Sequence, residues 1–169
     1  MARRSVEMEV EILRSTMSKT DLILAMARTA SEDYMQQIVL RLKTHEFRKR
    51  RYPTSVLRFW FYETSPINAI TYICEVSPAH SRSEDGPLGD EEGIGNRDYN
   101  EFDPSFEGYE YAYRVKSCWR VVQPVGLDRL MKDFGLGGAP RGMVYVPEEL
   151  ARVVAWDEQE LVWSESCEA

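Results

Sequence analysis

Lysine, glutamate and arginine recur at close spacing in the run Lys43-Thr44-His45-Glu46-Phe47-Arg48-Lys49-Arg50, directly after an apolar-striped segment. Read as a strand, period-two alternation puts Lys43, His45 and Phe47 on one side and Thr44, Glu46 and Arg48 on the other. An acid then lies beside a base on a common face, and such a face can hold a phosphate or the polar edge of a nucleobase. The competing reading is a solvated basic strand edge that discourages edge-to-edge aggregation.

No other stretch offers a comparable set. Gly137-Gly138-Ala139-Pro140 is a turn, because it lacks the Lys-Ser/Thr ending and the strand-before-helix context of a phosphate loop. Cys74, Cys118 and Cys167 are odd in number, far apart and in no paired metal spacing. They suggest neither a disulfide framework nor a zinc site; the first two read as small buried hydrophobes and the third as a tail thiol. No metal and no cofactor is expected.

Charge at first argues against a nucleic-acid partner, since the chain of 169 residues carries a net −7. The acids are concentrated, however. Between Glu84 and Glu110 ten carboxylates stand against Arg97 alone, a net −9 that leaves +2 for the remainder. Screening over roughly 8 Å in physiological salt lets a basic patch act independently of a distant acidic loop. No apolar run approaches the ~20 residues of a bilayer span, and the amino terminus has no hydrophobic signal core. The expectation is an intracellular protein of cytoplasm or nucleus, with no membrane partner and a monomeric state.

The elements that must position the basic run follow from periodicity. In residues 1–20, Val6, Met8, Val10 and Ile12 alternate as in a strand, while Val6, Val10, Leu13 and Met17 fit a helical stripe; residue preferences favour a short helix or loose arm. Leu22 to Ala27 suits a short buried strand. Thr29 with Glu32 has capping-box spacing, and Met35, Ile38, Val39 and Leu42 recur at helical intervals, predicting a helix over Ser31 to Leu42. Val56 to Tyr62 and Ala69 to Val76 read as paired strands joined through Glu63 to Asn68.

Residues 77–109 are rich in Gly, Pro, Ser and acid, which predicts a long surface insertion, largely disordered or loosely draped. Order resumes with a strand over Tyr111 to Val122, its Tyr111, Tyr113, Val115 and Ser117 on one face, stopped by Pro124. Leu127, Leu130, Met131 and Phe134 make a helix ended by a left-handed Gly135. Met143 to Val146 is another strand, and Pro147-Glu148-Glu149 opens a helix with proline first and acids in its first turn. Strands interspersed with short helices indicate one α+β domain whose sheet curls into a small barrel. Its expected extent is 21–156, with the acidic insertion at 77–109, an arm at 1–20 and a tail at 157–169.

In ordered detail, the stretch Leu22 to Val76 resembles the ASCH family of the PUA-like superfamily. Sequences of that family look like a short apolar strand, a helix ending in Gly-x-Lys-x-x-Glu-x-Arg, and a strand running into a Ser-Pro turn. The motif here reads Arg41-Leu42-Lys43-Thr44-His45-Glu46-Phe47-Arg48, followed by Phe61-Tyr62-Glu63-Thr64-Ser65-Pro66 and Ile73-Cys74-Glu75-Val76. Tyr113-Arg114-Val115 through Pro124-Val125 and Leu127 to Met131 resemble the later strand, proline and short helix. Arg41 stands where the motif has glycine, so it either crowds the cleft or adds a cation to it.

The resemblance implies a PUA-like β-barrel of about five to six strands flanked by short helices. It further implies an RNA-binding cleft between the first helix and the barrel, lined by Lys43, Glu46 and Arg48. These residue types suit such a cleft, with Lys43 as a mobile charge for a phosphate and Arg48 as a planar fork for phosphate or a guanine edge. Glu46 would accept from an exocyclic amine or hold Arg48 in place, and Thr64 and Ser65 would add hydroxyl contacts. Tyr62, Trp60 and Trp119 are stacking candidates, with a core position as their alternative.

The expected ligand is thus RNA or a nucleotide-like small molecule. Some small members of the group resemble amidohydrolases acting on acylated cytidine, with catalytic lysine, threonine and glutamate. Lys43 matches the lysine, but Glu46 stands at the threonine's place, leaving a Lys43–Glu46 acid–base pair as the catalytic alternative. A third class is a protein-interaction module using the acidic insertion or the Trp156 to Trp163 segment.

Overall fold

The structure, a computed structural model, describes residues 17–167. The arm expected over residues 1–20 therefore lies outside the described residues except for its last four, which belong to the first strand. In chain order the strands are β1 (Met17–Met26), β2 (His45–Arg48), β3 (Arg58–Glu63), β4 (Ala69–Glu75), β5 (His80–Ser81), β6 (Tyr111–Arg114), β7 (Ser117–Gly126), β8 (Val144–Pro147) and β9 (Glu160–Ser164). The helices are α1 (Tyr34–Val39), α2 (Arg82–Asp85), α3 (Asn96–Asn100), α4 (Leu127–Phe134) and α5 (Glu148–Val153), with 3₁₀ turns at Pro104–Phe106, Trp156–Glu158 and Glu165–Cys167.

Six strands form a mixed sheet in the order β8-β1-β3-β4-β7-β9, and β2-β6-β5 form a smaller one. The two are stitched where β6 leads into β7, at the Val76–Val115 bridge. This is the α+β, barrel-like arrangement expected from the sequence.

Alternation in β1 and β3 assigns their side chains to two cores. Leu22, Leu24, Met26, Phe59 and Phe61 point between the sheets, where they meet Met35 and Ile38 of α1 and Tyr113 and Val115. Ile23, Trp60 and Tyr62 point the other way, under Leu130 of α4 and Leu150 of α5. Each such fully buried apolar side chain contributes about 1.5–3 kcal/mol relative to exposure, so the six-stranded sheet is anchored on both faces. Trp60 and Tyr62 are thus core residues, and Trp119 packs edge-to-face on Trp156 beside the same cluster, so none of the three is placed to stack a base.

Four local expectations are corrected. The helix α1 is shorter than 31–42: Thr29 closes a turn on the Glu32 amide, and Asp33 is the cap, accepting from the Gln36 amide. The strand expected over Tyr111 to Val122 divides into β6 and β7 as the chain crosses between sheets. Pro124 does not stop β7, because the ladder loses register between Arg120 and Val125 and demands no amide hydrogen bond there. Pro147 caps α5 rather than opening it, although Glu148 and Glu149 do occupy its first turn.

The acidic segment is ordered. Leu88, Tyr99 and Phe106 pack with Phe47 and Ala112 into a third, smaller core on the outer side of the small sheet. Its backbone is satisfied locally: the Asn100 amide pairs with both the N–H and the carbonyl of Leu88, and the Tyr99 hydroxyl donates to the Glu110 carbonyl. Composition alone misses this because the segment holds few apolar residues of its own and borrows the rest of the core from the sheet. At the carboxyl end, β9 adds to β7, and Trp163 turns inward to donate its indole N–H to the Ile38 carbonyl at the end of α1.

Candidate functional site

The end of α1 sets the site. Arg41 adopts a left-handed backbone with φ 59°, and the Leu42 and Lys43 amides both return to the Gln37 carbonyl. Left-handed geometry is where glycine is at ease, which gives a backbone reason for the motif glycine. The Arg41 guanidinium lies 4.6 Å from the centre of the Trp163 ring. Arg41 is not among the residues that line the cleft.

This turn folds Lys43 back so that its ammonium sits 5.3 Å from the Tyr34 ring centre and 2.9 Å from Glu46 Oε2. Because Lys43 precedes β2, it escapes the alternation that would have set it opposite Glu46. Glu46 and Arg48 do follow the alternation and share a face, with Arg48 Nε 3.0 Å from Glu46 Oε1. The arm of Arg48 continues to the Ala25 carbonyl at the end of β1, 3.0 Å away. One carboxylate thus ties two cations and joins α1, β1 and β2.

Glu46 is buried. Burial by itself raises a carboxyl pKa, but the charges and hydrogen bonds of Lys43 and Arg48 outweigh it and hold Glu46 below its ordinary value. The triad therefore carries one net positive charge. Both carboxylate oxygens are engaged, while the Lys43 ammonium and the Arg48 guanidinium each retain N–H bonds beyond those given to Glu46 and Ala25.

These groups line a cleft of about 390 Å³ together with Ala25, Met26, Ala27, Tyr34 and Phe47, and with Ser105, Phe106 and Tyr109 from the acidic segment. Phe106 is held edge-to-face on Phe47, ring centres 5.0 Å apart, and Lys49 lies 5.0 Å from the Tyr109 ring centre. Sequence reasoning misses the aromatic lining: Tyr34 reads as a helix residue, and Phe106 and Tyr109 fall in the segment expected to be loose. Thr64 and Ser65 are not among the lining residues; they sit in the β3–β4 turn, where the Thr64 amide bonds the Met26 carbonyl.

On the opposite face of β2, His45 is buried and its ring Nδ1 is 2.8 Å from the Thr44 hydroxyl. Burial pulls its pKa down to about 4, against a raising effect of Asp90 and with smaller lowering effects of Arg114 and His80. Among the described residues, no group of His, Cys, Asp and Glu could hold a metal ion, and no helix is long and apolar enough to cross a membrane. Cys74 and Cys118 are buried free thiols, and burial followed by the neighbouring Cys118 raises Cys74 well above the ordinary thiol range.

No protein-family model matches the sequence, and neither does any curated protein. Solved structures do resemble the fold. The ASCH protein from Zymomonas mobilis, in a serine-to-alanine mutant, is 19% identical with a TM-score of 0.59, over 85% of this chain and 99% of that one. A tyrosine-to-phenylalanine mutant of the same protein is 19% identical with a TM-score of 0.58, over 84% of this chain and 100% of that one. The form without a stated mutation is 18% identical with a TM-score of 0.56, over 85% and 98%. At such identity the likeness establishes the fold: this chain has the fold of an ASCH protein.

Proposed function

We propose that this ASCH-fold chain binds RNA, or a nucleotide-like ligand, in the cleft between α1, the end of β1 and β2. The observation that carries the reading is the convergence of Lys43 and Arg48 on a single buried carboxylate at the base of a concavity walled by Tyr34, Phe106 and Tyr109. A surplus positive charge with N–H bonds to offer suits a phosphate, and aromatic faces suit an unpaired base. In this reading Glu46 is a positioning residue: with both oxygens engaged by its own chain, it fixes the cations rather than reading a base.

The acid–base alternative draws less support. Glu46 is enclosed and doubly hydrogen-bonded, so in a Lys43–Glu46 pair only Lys43 could meet a substrate, and its ammonium is already held in the ion pair. The interaction-module alternative keeps only the charge of the acidic segment, because Trp156 and Trp163 both pack inward. Chemical-shift mapping tests the proposal. Titrating a short single-stranded RNA and, separately, a nucleoside monophosphate should, with at least one of the two, move amide signals of residues 25–27, 43–48 and 105–109 together. Shifts confined to other surfaces, or none, would contradict it.

A further inference from the structure

The shape and charge around the cleft bear on how much of a nucleic acid it admits. At about 390 Å³ it lies near the lower end of the ~300–1,000 Å³ typical of small-ligand sites. That is room for one nucleotide, and too little for a run of them. One side is closed by Ser105, Phe106 and Tyr109, and this wall is packed: Phe106 rests on Phe47, and a Cβ added at Gly95 would stand 3.0 Å from both rings.

Behind the wall lies a second hollow of about 420 Å³, which shares Phe106 and Tyr109 with the cleft and is lined by Asp103, Glu107 and Glu110. Hydrogen bonds from Ser83 hold Glu110 below the ordinary carboxyl range, and those from Ser105 do the same for Asp103. Among the described residues the one cation lining this hollow is Arg82, which is directed to the Asn100 carbonyl and lies 4.1 Å from the Phe102 ring centre. A phosphodiester chain leaving the cleft over Phe106 would run onto the like charge of the hollow that shares that ring. Of the neighbouring basic residues, Lys49 lies 5.0 Å from the Tyr109 ring centre, and Arg51 pairs with Glu84 at 2.8 Å and lies 5.2 Å from the Tyr111 ring centre.

We infer that the cleft admits a single nucleotide, free or as the end of an RNA strand, with its phosphate on Lys43 and Arg48, its base on the aromatic wall, and any continuing strand refused by the acidic face behind Phe106. The inference rests on the nucleotide-binding reading above. It assigns the acidic segment a specificity role: the segment supplies both the wall and the repulsion that distinguish an end from an interior.

Equilibrium titrations with three probes test it: nucleoside monophosphates, a short linear RNA, and the same sequence circularised. The wild-type protein should bind the linear RNA or the monophosphates, and bind the circle at least about tenfold more weakly. Binding of monophosphates alone identifies the free nucleotide as the ligand, and binding of linear RNA alone identifies the strand end. In Glu107→Lys the circle should gain about three- to tenfold in affinity with a steeper salt dependence, while monophosphate binding stays unchanged. A circle bound as tightly as the linear strand by the wild-type protein would overturn the inference and leave the nucleotide reading intact. If no probe binds, the reading itself fails and takes the inference with it.

Discussion

Replacing Glu46 by glutamine probes the triad most sharply, because it removes one charge and almost no volume. Glu46 is only 4% exposed and Lys43 8%. Removing one partner of a buried ion pair costs about 3–5 kcal/mol, since the remaining charge stays desolvated. Glutamine retains one accepting oxygen and Arg48 is partly solvated, so the expected loss is about 3 kcal/mol at pH 7. In a domain of this size that is a fall in Tm of about 6–12 °C. The pH dependence fixes the cause. Burial would raise the Glu46 pKa, but Lys43 and Arg48 hold it below the ordinary 4.5, so the carboxylate's contribution is complete above that pH and disappears as the pH falls through the folded value. Urea denaturation of both proteins from pH 7 to pH 3 should therefore show a gap that closes below about 4.5. Equal stability at pH 7, or a gap that persists unchanged into acid, would refute the reasoning.

Two further outcomes follow from the neighbouring face of β2. Gly93→Ala would drive a Cβ into the Thr44 hydroxyl oxygen and place it 2.7 Å from Asn96 Nδ2, so it should cost about 1–3 kcal/mol and speed hydrogen exchange across residues 96–110; unchanged stability would show that the acidic segment does not dock there. His45 has a folded pKa near 4 against an ordinary 6.5, so the unfolded chain takes up its proton first. Wild-type stability in urea should fall as the pH drops from 6.5 to 4, a slope that His45→Gln should flatten and that stability constant across this window would contradict.

Much of the scaffold was readable from alternation and capping. Ile23, Trp60 and Tyr62 separate from Leu22, Phe59 and Phe61 by the strand period, and Gly135 ends α4 in the left-handed geometry expected of it. Lys43, Glu46 and Arg48 were legible as a set, yet the reason Lys43 joins the other two was not: it depends on the left-handed Arg41 and on two amides returning to Gln37. The ring partner of Arg41, Trp163, lies at the far end of the chain, beyond the reach of any local reading. The largest miss is the acidic segment. Low apolar content correctly signals a small core, but cannot reveal that Phe47 and Ala112 of the neighbouring sheet complete it, or that Phe106 and Tyr109 thereby become a wall of the cleft.

The most direct test of the cleft is the affinity for single-stranded RNA as a function of salt, measured for the wild-type protein and for Lys43→Ala and Arg48→Ala. Affinity should fall as salt rises, each substitution should weaken binding, and the two together should reduce the slope of log affinity against log salt by about 0.7, the value for one lost phosphate contact on a single strand. Binding that ignores salt, or that survives both substitutions undiminished, would place the ligand elsewhere on the molecule.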